Sequence, residues 1–406
     1  MHFVYYRRVS DSAIMPAPVI LSAVRTPIGK FGKSLVGVSA TQLGALVIEE
    51  ALKRAKVSPS KVDEVIMGNV IAAGLGQNPA RQSAIHGGVP FSAGSITVNK
   101  VCGSGLKAVM LAAQSIKAGD NDVVVAGGME SMSNAPYLAR GMRWGTKYGD
   151  GRLLDAMIAD GLWDAYHDYH MGLTGEHIAK RFKIGRREAD EFAYQSHMKA
   201  SKASDQGLFD AEKVKVKIKH ENGDIVEFNT DECVRRDTTV EKLSELKPVF
   251  KPGGVLTAGN SSQLSDGSSA LVVTSDEVAD KMGLKPLARI RGYGTGGLEP
   301  ARVMEAPIPT VTELLKRLKM SMEDIDLFEH NEAYATASIA VRRELGVDES
   351  RFNVWGGAVA IGHPLGASGA RVLTTLLYGL KRTGKKTGLA TLCLGGGNAV
   401  AMVIER

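Results

Sequence analysis

Cys102 lies at a corner of the chain, where an apolar run ends, Gly103 and Gly105 permit a tight turn, and an alanine-rich amphipathic stretch begins at Ala108. A thiol at the start of a helix lies near unpaired N–H groups and the positive end of the helix dipole. We therefore predict a lowered thiol pKa and a nucleophilic cysteine. The alternative is a small buried hydrophobic side chain, which is the more common role of a free cysteine.

Two further chemically active side chains occupy glycine-rich corners near the other end of the sequence. His363 stands between Gly362 and Pro364, and Cys393 is followed closely by Gly395, Gly396 and Gly397. A histidine before proline is often only a turn residue, but apolar and glycine neighbours leave this one few local partners. That setting favours a general base facing a pocket.

The bulk composition predicts a globular protein of two or three domains. The 406 residues are 44% hydrophobic and 23% charged, with no apolar run long enough to cross a bilayer. Three cysteines are too few for a disulfide framework, and zinc-site spacings are missing. A net charge of +6 without a nucleic-acid motif suits a small polyanionic substrate rather than nucleic acid. We therefore predict no nucleic-acid partner, no membrane insertion and no metal.

The first residues do not read as a secretory signal peptide. Met15 is an alternative start to Met1, and a short basic opening is also compatible with a transit peptide. The cysteine usage favours a reducing compartment. The sequence thus predicts a cytoplasmic protein, with a mitochondrial location open if the source is a eukaryote.

An internal duplication organises the sequence. The segment from Leu52 to Ser58 recurs 263 residues later from Leu315 to Ser321, and Ser104-Gly105 recurs 264 residues later as Ser368-Gly369. Near-equal offsets at separate places indicate two structurally related halves. Pseudo-twofold symmetry would then bring the corners of Cys102, His363 and Cys393 together.

The order of apolar runs and helical stretches predicts α/β architecture with buried strands. A strand at 270–274 arrives only after a long detour, so we predict an inserted domain within the first half. The predicted boundaries are an N-terminal extension (1–15), an N-terminal half (16–131 plus 263–284), an inserted domain (132–262) and a C-terminal half (285–406).

Five motifs together resemble the thiolase family: Val101-Cys102-Gly103-Ser104-Gly105, Ala126-Gly127-Gly128-Met129-Glu130-Ser131-Met132, Asn331-Glu332-Ala333, Gly362-His363-Pro364-Leu365-Gly366-Ala367-Ser368-Gly369 and Cys393-Leu394-Gly395-Gly396-Gly397. The resemblance runs from about Val19 to the C-terminus and is strongest to the acetyl-CoA acetyltransferase branch. It implies a five-layered αβαβα fold of two duplicated halves with an inserted loop domain. It also implies an acyltransferase without a tightly bound cofactor, with coenzyme A and acetyl-CoA as substrates.

The resemblance implies a role for each catalytic position. Cys102 would carry the acetyl group as a thioester, His363 would accept its proton, and Cys393 would act as the second acid/base. The N–H groups of Cys102 and Gly395 would form one oxyanion hole, and His363 with a water held by Asn331 would form the other. The implied reaction is a reversible ping-pong Claisen condensation of two acetyl-CoA to acetoacetyl-CoA plus CoA.

The inserted region resembles the family's coenzyme A binding loop and tetramerisation loop. The positions that the resemblance places beside substrate are His170, Met171, Arg235, Ala258, Gly259, Ser262, Ala333 and Tyr334. From spacing alone, a core methionine, a solvated arginine and plain Gly/Ser turns would be preferred, and Asn331 alone would read as a turn residue. The stretch from Tyr137 to Asp155 resembles the tetramerisation loop, which implies a homotetramer built as a dimer of dimers.

Three positions depart from the family pattern: His330, Tyr334 and Asn398. His330 and Tyr334 bring hydrogen-bonding groups near the predicted acyl pocket, which is compatible with a branched or hydroxylated acyl group. The alternative function is a broader-range 3-ketoacyl-CoA thiolase of fatty-acid degradation. Related acyl synthases ordinarily lack the Cys393 corner, and a non-catalytic acyl-CoA carrier would not need this set of side chains.

Overall fold

The computed structural model describes residues 16–219 and 223–406. The predicted N-terminal extension, with both Met1 and Met15, lies outside these residues. The strands are β1 Pro18–Arg25, β2 Gly29–Lys30, β3 Glu64–Gly68, β4 Gly94–Val98, β5 Val123–Ser131, β6 Tyr137–Leu138, β7 Leu154–Asp155, β8 Trp163–Asp164, β9 Tyr169–His170, β10 Val216–Lys219, β11 Ile225–Phe228, β12 Ser265–Ser275, β13 Ala288–Gly297, β14 Leu327–His330, β15 Thr387–Leu394 and β16 Asn398–Glu405. The helices are α1 Ala40–Ala55, α2 Pro79–His86, α3 Ser104–Ala118, α4 Gly172–Arg181, α5 Arg186–Asp205, α6 Val240–Ser244, α7 Asp276–Lys281, α8 Pro307–Leu318, α9 Ala335–Glu344, α10 Ala358–Ile361 and α11 Leu365–Thr383.

The large mixed sheet has the same strand order in its two halves. In the first half the order is β4-β3-β5-β12-β1, and in the second it is β14-β15-β16-β13. Outward from the junction of β1 with β13, the strands of the first half follow the order β1, β12, β5, β3, and those of the second half follow the order β13, β16, β15, β14. In both halves this is the first strand of the half, the last one, the one before the last, and a strand parallel to that one. The predicted duplication of the fold is therefore confirmed.

Helices cover both faces of each half-sheet, which gives the predicted five layers. Helices α3 and α11 lie between the two half-sheets, where their apolar side chains form one core with residues of β5, β15 and β16. Helices α1 and α2 pack on the outer face of the first half, and α8 and α9 pack on the second. Helix α11 is buried from Leu365 to Leu380, as a helix between two sheets must be.

The duplicated Ser-Gly pairs meet at the crossing of α3 and α11. A Cβ atom on Gly105 would lie 2.7 Å from the backbone nitrogen of Ala370, and one on Gly369 would lie 2.3 Å from that of Leu106. Only glycine permits this approach of two helix backbones. Because both helices start just before the crossing, the loops that precede them lie side by side.

Between β5 and β12 the polypeptide forms helices α4–α6 and three two-stranded hairpins. A buried ion group fastens this region to the first half. The Arg25 guanidinium contacts Glu212 at 2.5 Å and Asp231 at 2.7 Å, and all three side chains are withdrawn from solvent. Within the described ranges, no helix has the length and apolar character needed to cross a bilayer.

Candidate active site

Cys102, His363 and Cys393 line one cavity, as the predicted symmetry requires. The cavity opens to solvent and leaves about 50 Å³ of space for small molecules. Its other lining residues are Val101, Gly161, Leu162, Met171, Ser262, Val303, Met304, Ala333, Tyr334, Leu365, Leu394 and Gly395. The nucleophile candidate from the first half and the two reactive side chains from the second half therefore face a common ligand space.

The loop that carries Cys102 holds an unusual backbone conformation. Val101 has φ of +46°, a value that a β-branched residue rarely adopts. The Ser104 hydroxyl secures the loop, since it donates to the Val101 carbonyl at 2.6 Å and accepts from the Lys100 N–H at 2.8 Å. Backbone strain held in this way is common beside reactive groups, where it fixes the direction of a side chain.

Burial controls the protonation of Cys102. It raises the pKa of the thiol to about 12, although hydrogen bonds from the N–H groups of Gly395 and of Cys102 itself act in the opposite direction. The Glu130 carboxylate adds a further increase. The predicted lowering of this pKa is therefore wrong, because loss of hydration outweighs the backbone donors. The resting thiol is neutral and needs a base in order to react.

His363 meets the requirements of that base. Burial, followed by the Arg371 charge, lowers its pKa to about 3, so the imidazole is neutral. Its Nδ1 lies 2.5 Å from the Ser368 hydroxyl, which is also 2.8 Å from the Pro364 carbonyl. When the hydroxyl donates to the carbonyl, it accepts from Nδ1–H and leaves Nε2 free as a base. When it donates to Nδ1, Nε2 carries the proton and becomes a donor.

Asn331 lies directly beside the imidazole. It follows β14, and its Nδ2 is 3.4 Å from His363 Nε2. Its side-chain oxygen is buried and has no hydrogen-bond partner among the described residues. A buried amide oxygen in this state is suited to hold a water molecule, since such groups rarely stay unpaired.

Two buried carboxylates position these loops, and sequence reasoning did not assign them a role. Glu332 accepts hydrogen bonds from Ser196, Asn353 and the Val359 N–H, which joins the Asn331 turn to α10 just before His363. The charged residue inside the motif Asn331-Glu332-Ala333 was the signal that could have found it.

Glu130, at the end of β5, joins the two halves. Its carboxylate accepts from Asn69 Nδ2 and from the N–H groups of Val70, Ile71 and Gly366. Gly366 belongs to the first turn of α11, so this contact fixes the helix start after His363 against the first half. Burial raises the Glu130 pKa to about 7, and the backbone donors act against this shift.

Cys393 lies at the end of β15 and is 2% exposed. Its thiol donates to the Met304 sulfur at 3.6 Å, and burial and the nearby Cys102 raise its pKa well above the usual value. Gly395 beyond it packs against the Val101 side chain. The two cysteine corners are thus in direct contact.

The predicted substrate-binding residues fall into two groups. Met171, Ser262, Ala333 and Tyr334 line the cavity. His170 does not line the cavity. Its ring stacks on that of Phe250, with 4.9 Å between the ring centroids, and its Nδ1 accepts from the Gly172 N–H.

The remaining three predicted residues lie outside the cavity wall. Arg235 donates to the Ala258 carbonyl at 3.4 Å, and Gly259 is buried against Leu243 and Leu246. The part of the protein that the structure describes contains no group of three or more His, Cys, Asp or Glu side chains arranged to hold a metal ion.

Of the three departures from the family pattern, one faces the cavity. Tyr334 lines it, whereas His330 is buried elsewhere, with Nδ1 2.9 Å from the Ser338 hydroxyl. The interpretation of His330 as a pocket residue is therefore wrong, because its ring turns toward α9. Asn398 accepts from Lys100 Nζ at 2.9 Å and braces the Cys102 loop.

A two-half αβαβα fold with a thiol, an imidazole and a second thiol around one cavity defines the class of thiol-dependent acyl-transfer proteins. Family models agree: residues 18–277 match the thiolase N-terminal domain and residues 284–406 match the thiolase C-terminal domain. The chain belongs to the thiolase family, and it is an acyltransferase that acts on acyl-CoA thioesters.

Named relatives are similar over nearly the whole length. An acetyl-CoA acetyltransferase of Cupriavidus necator is 52% identical over 388 residues, covering 96% of this chain and 99% of the relative. One of Pseudomonas aeruginosa is 49% identical over the same length and the same shares of both proteins. The crystal structure of the Bacillus anthracis acetyl-CoA acetyltransferase matches with a TM-score of 0.95 at 43% identity, covering 97% of this chain and 100% of that one.

Proposed function

We propose that the protein is an acetyl-CoA C-acetyltransferase, which condenses two acetyl-CoA molecules to acetoacetyl-CoA and CoA and catalyses the reverse thiolysis. The observation that carries this proposal is the shared cavity of Cys102, His363 and Cys393. Two thiols and a neutral imidazole supply one nucleophile and two proton-transfer groups, which ping-pong Claisen chemistry requires.

In the first half-reaction, His363 Nε2 takes the Cys102 proton as the sulfur attacks the acetyl-CoA carbonyl. Because the thiol is neutral at rest, proton transfer accompanies attack. The N–H groups of Cys102 and Gly395 stabilise the negative charge on the carbonyl oxygen. The bond to the CoA sulfur then breaks and CoA leaves with the proton of the Cys393 thiol, so that acetyl-Cys102, a Cys393 thiolate and a proton on His363 Nε2 remain.

In the second half-reaction, Cys393 as the thiolate removes a proton from the methyl carbon of a second acetyl-CoA. His363, now with the proton on Nε2, and a water held by Asn331 donate to the enolate oxygen. The Ser368 hydroxyl supports this state by accepting from Nδ1–H. The enolate carbon attacks acetyl-Cys102, and the bond between carbon and the Cys102 sulfur breaks. The proton on His363 Nε2 returns to the Cys102 sulfur, Cys393 keeps the proton taken from the methyl group, and acetoacetyl-CoA is released.

The residues that bind coenzyme A come from the region between β5 and β12. We assign His170, Met171, Ala333 and Tyr334 to the acyl end of the substrate, and Arg235, Ala258, Gly259 and Ser262 to the coenzyme A portion. We also propose that the inserted domain spans residues 132–262 and that the two halves have the boundaries predicted from the sequence. We favour acetyl and acetoacetyl groups over long acyl chains, because His170-Met171 resembles the short-chain branch of the family.

Variants of the three cysteines test the proposal. Cys102→Ala is expected to lose the covalent acetyl adduct that acetyl-CoA forms, measured as a mass increase of the intact protein. Cys393→Ala should still form the adduct and fail to release acetoacetyl-CoA. Cys233→Ala is the matched control, because this third cysteine is buried away from the cavity, and it should retain both steps. An acetylated Cys102→Ala protein would remove the proposed nucleophile.

A second candidate, a broader-range 3-ketoacyl-CoA thiolase, is favoured by the apolar part of the cavity wall. Thiolysis rates with acetoacetyl-CoA and with six- and eight-carbon 3-oxoacyl-CoA distinguish the two. We expect the four-carbon ester to have the highest kcat/KM. Equal values for the longer esters would support the broader-range enzyme.

We also propose that four copies assemble as a dimer of dimers in the cytoplasm. Support comes from large exposed apolar side chains in the predicted tetramerisation loop, where Trp144 is 86% and Tyr148 is 99% exposed. Among the described strands, β4 pairs on one side only, with β3, and leaves an edge open to a second copy. Light scattering of the purified protein measures the assembly directly.

A further inference from the structure

Tyr334 places a hydroxyl group in the wall of the acyl cavity. The residue begins the turn into α9, and its backbone is fixed by a bridge to Ser261. Its ring packs on Gly175, where an added Cβ would come within 3.0 Å, and meets the Phe250 ring edge-on at 5.8 Å. These contacts hold the ring in one direction, toward the cavity that it lines with Cys102 and Cys393.

The Tyr334 hydroxyl has no hydrogen-bond partner among the described residues, although the residue is only 7% exposed. It is also not one of the fully enclosed polar atoms, so it keeps an accessible face. Burial and the two neighbouring thiols raise its pKa well above the usual value, and the group therefore remains a neutral donor and acceptor. No described side chain or backbone group satisfies this hydroxyl, so its accessible side is available to a molecule in the cavity.

The surrounding wall makes this hydroxyl distinctive. The nearby lining is apolar and includes Leu162, Met171 and Val303. The other polar side chains in the described wall are Cys102, His363, Cys393 and Ser262, and the first three have roles in the proposed chemistry. Tyr334 is thus a polar group of the acyl pocket that the reaction of a plain acetyl group does not need.

On the basis of the proposed function, we propose that Tyr334 is a specificity-determining residue that selects short hydroxyacyl-CoA thioesters as acyl donors. Its hydroxyl forms a hydrogen bond to the hydroxyl of the acyl group. Tyr334 and the acceptor sulfur of Cys102 line the same cavity, so an acyl group on that sulfur occupies the space beside the Tyr334 side chain. An acyl oxygen would supply the partner that Tyr334 lacks among the described residues.

The reaction step is the acyl transfer already described. The bond between the acyl carbon and the CoA sulfur breaks, a bond from the same carbon to the Cys102 sulfur forms, the Cys102 proton passes to His363, and the departing CoA sulfur takes the proton of Cys393. The acyl hydroxyl is neither oxidised nor lost. Tyr334 changes only how well the hydroxyacyl group is held during transfer.

Glycolyl-CoA and propionyl-CoA are the matched probes, because their acyl groups differ only in a hydroxyl against a methyl. The protein is mixed with equal concentrations of both and quenched early. The peptide that contains Cys102 is then analysed by mass spectrometry for the ratio of glycolyl to propionyl adducts. We expect Tyr334→Phe to lower this ratio about tenfold relative to the unmodified protein, which is the effect of one hydrogen bond near the upper end of the usual range.

Tyr293→Phe is the control, because Tyr293 is a half-buried tyrosine on β13 outside the cavity wall, and its ratio should equal that of the unmodified protein. An unchanged ratio in Tyr334→Phe would overturn the inference. An equal slowing of acetyl, propionyl and glycolyl transfer would also overturn it, since the hydroxyl would then serve a step common to all acyl groups. Failure of acetyl-CoA to label Cys102 at all would instead contradict the proposed function, and the melting temperature of each variant reports its folding.

Discussion

Each half of the molecule has a serine at the equivalent position, and the two serines have different roles. Ser104 and Ser368 occupy equivalent positions at the start of α3 and α11. The Ser104 hydroxyl makes both of its hydrogen bonds to backbone groups of its own loop, those of Lys100 and Val101. The Ser368 hydroxyl makes one bond to the Pro364 carbonyl and keeps the other for the His363 imidazole.

This difference shows how a duplicated scaffold acquires asymmetric chemistry. In the first half the serine stabilises a strained loop and so aims a nucleophile. In the second half the loop relies on Gly362, whose φ of +111° suits glycine, and the serine is free to bind the imidazole. The equivalent fold positions thus supply a rigid thiol on one side and a base of adjustable tautomer on the other.

The largest expected effect comes from breaking the helix crossing that both loops share. In Gly369→Ala, the new Cβ would lie 2.3 Å from the Leu106 backbone nitrogen, and neither helix backbone can move without the other. We expect a loss of roughly 3 kcal/mol in the free energy of unfolding, measured by urea denaturation. Gly37→Ala is the control, since its added methyl group meets open space, and it should stay within about 0.5 kcal/mol of the parent. Equal stability of the two variants would contradict the close crossing.

Ser368→Ala tests the second half of the molecule, in which the serine binds the imidazole of the base. Without the hydroxyl, the His363 Nδ1 loses its partner and the imidazole loses its fixed direction. We expect the rate of Cys102 acetylation to fall roughly 10- to 100-fold, measured by quenched-flow mass spectrometry, which is part of the roughly 100- to 10,000-fold that a positioned general base contributes. A normal rate in this variant would mean that the contact with Asn331 alone orients the base.

Ser104→Ala tests the first half of the molecule, in which the serine holds the loop of Cys102. This variant should change mainly the free energy of unfolding. The Val101 carbonyl and the Lys100 N–H lose a shared partner, but the imidazole keeps its own. We expect a loss of about 1 kcal/mol in unfolding free energy and an acetylation rate reduced less than in Ser368→Ala. The comparison fails if the order of the two acetylation rates is reversed.

The smallest expected effect is that of pH on acetylation. Burial raises the pKa of Cys102 to about 12 and lowers that of His363 to about 3, so neither group changes its charge between these values. At saturating acetyl-CoA, these two groups should change the acetylation rate less than about threefold between about pH 6 and pH 8. Glu130, whose pKa is about 7, changes charge in this range, and Glu130→Gln removes its contribution from the measurement. A rate that rose about tenfold per pH unit in this range would indicate a separately formed thiolate with a pKa near the usual cysteine value.

The lowered pKa of His363 determines the direction in which the free energy of unfolding changes with pH. The unfolded protein binds a proton near the usual histidine value, whereas the folded protein does so only near a pKa of about 3. The unfolded state therefore holds more protons between these values, and the contribution of His363 to stability falls as pH decreases through that window. His363→Asn should reduce this part of the pH dependence, measured by urea denaturation at a series of pH values.

Much of the fold was accessible from the sequence, because repeated motifs and apolar runs are local patterns. The duplication seen in Leu52–Ser58 and Leu315–Ser321 corresponds to matching helix ends of α1 and α8. The prediction that the three corners meet is confirmed by the cavity. The catalytic roles of these residues stay proposals that the variants above test.

What the sequence by itself determined was the set of reactive residues and the repeated order of strands and helices, since both are written in residue type and spacing. Only the tertiary structure decided the protonation of Cys102, the positioning roles of Glu130 and Glu332, and which unusual side chain faces the cavity. These depend on burial and on contacts between residues far apart in the sequence. Tyr334 and His330 lie within one short segment, yet packing turns one toward the two thiols and the other toward Ser338.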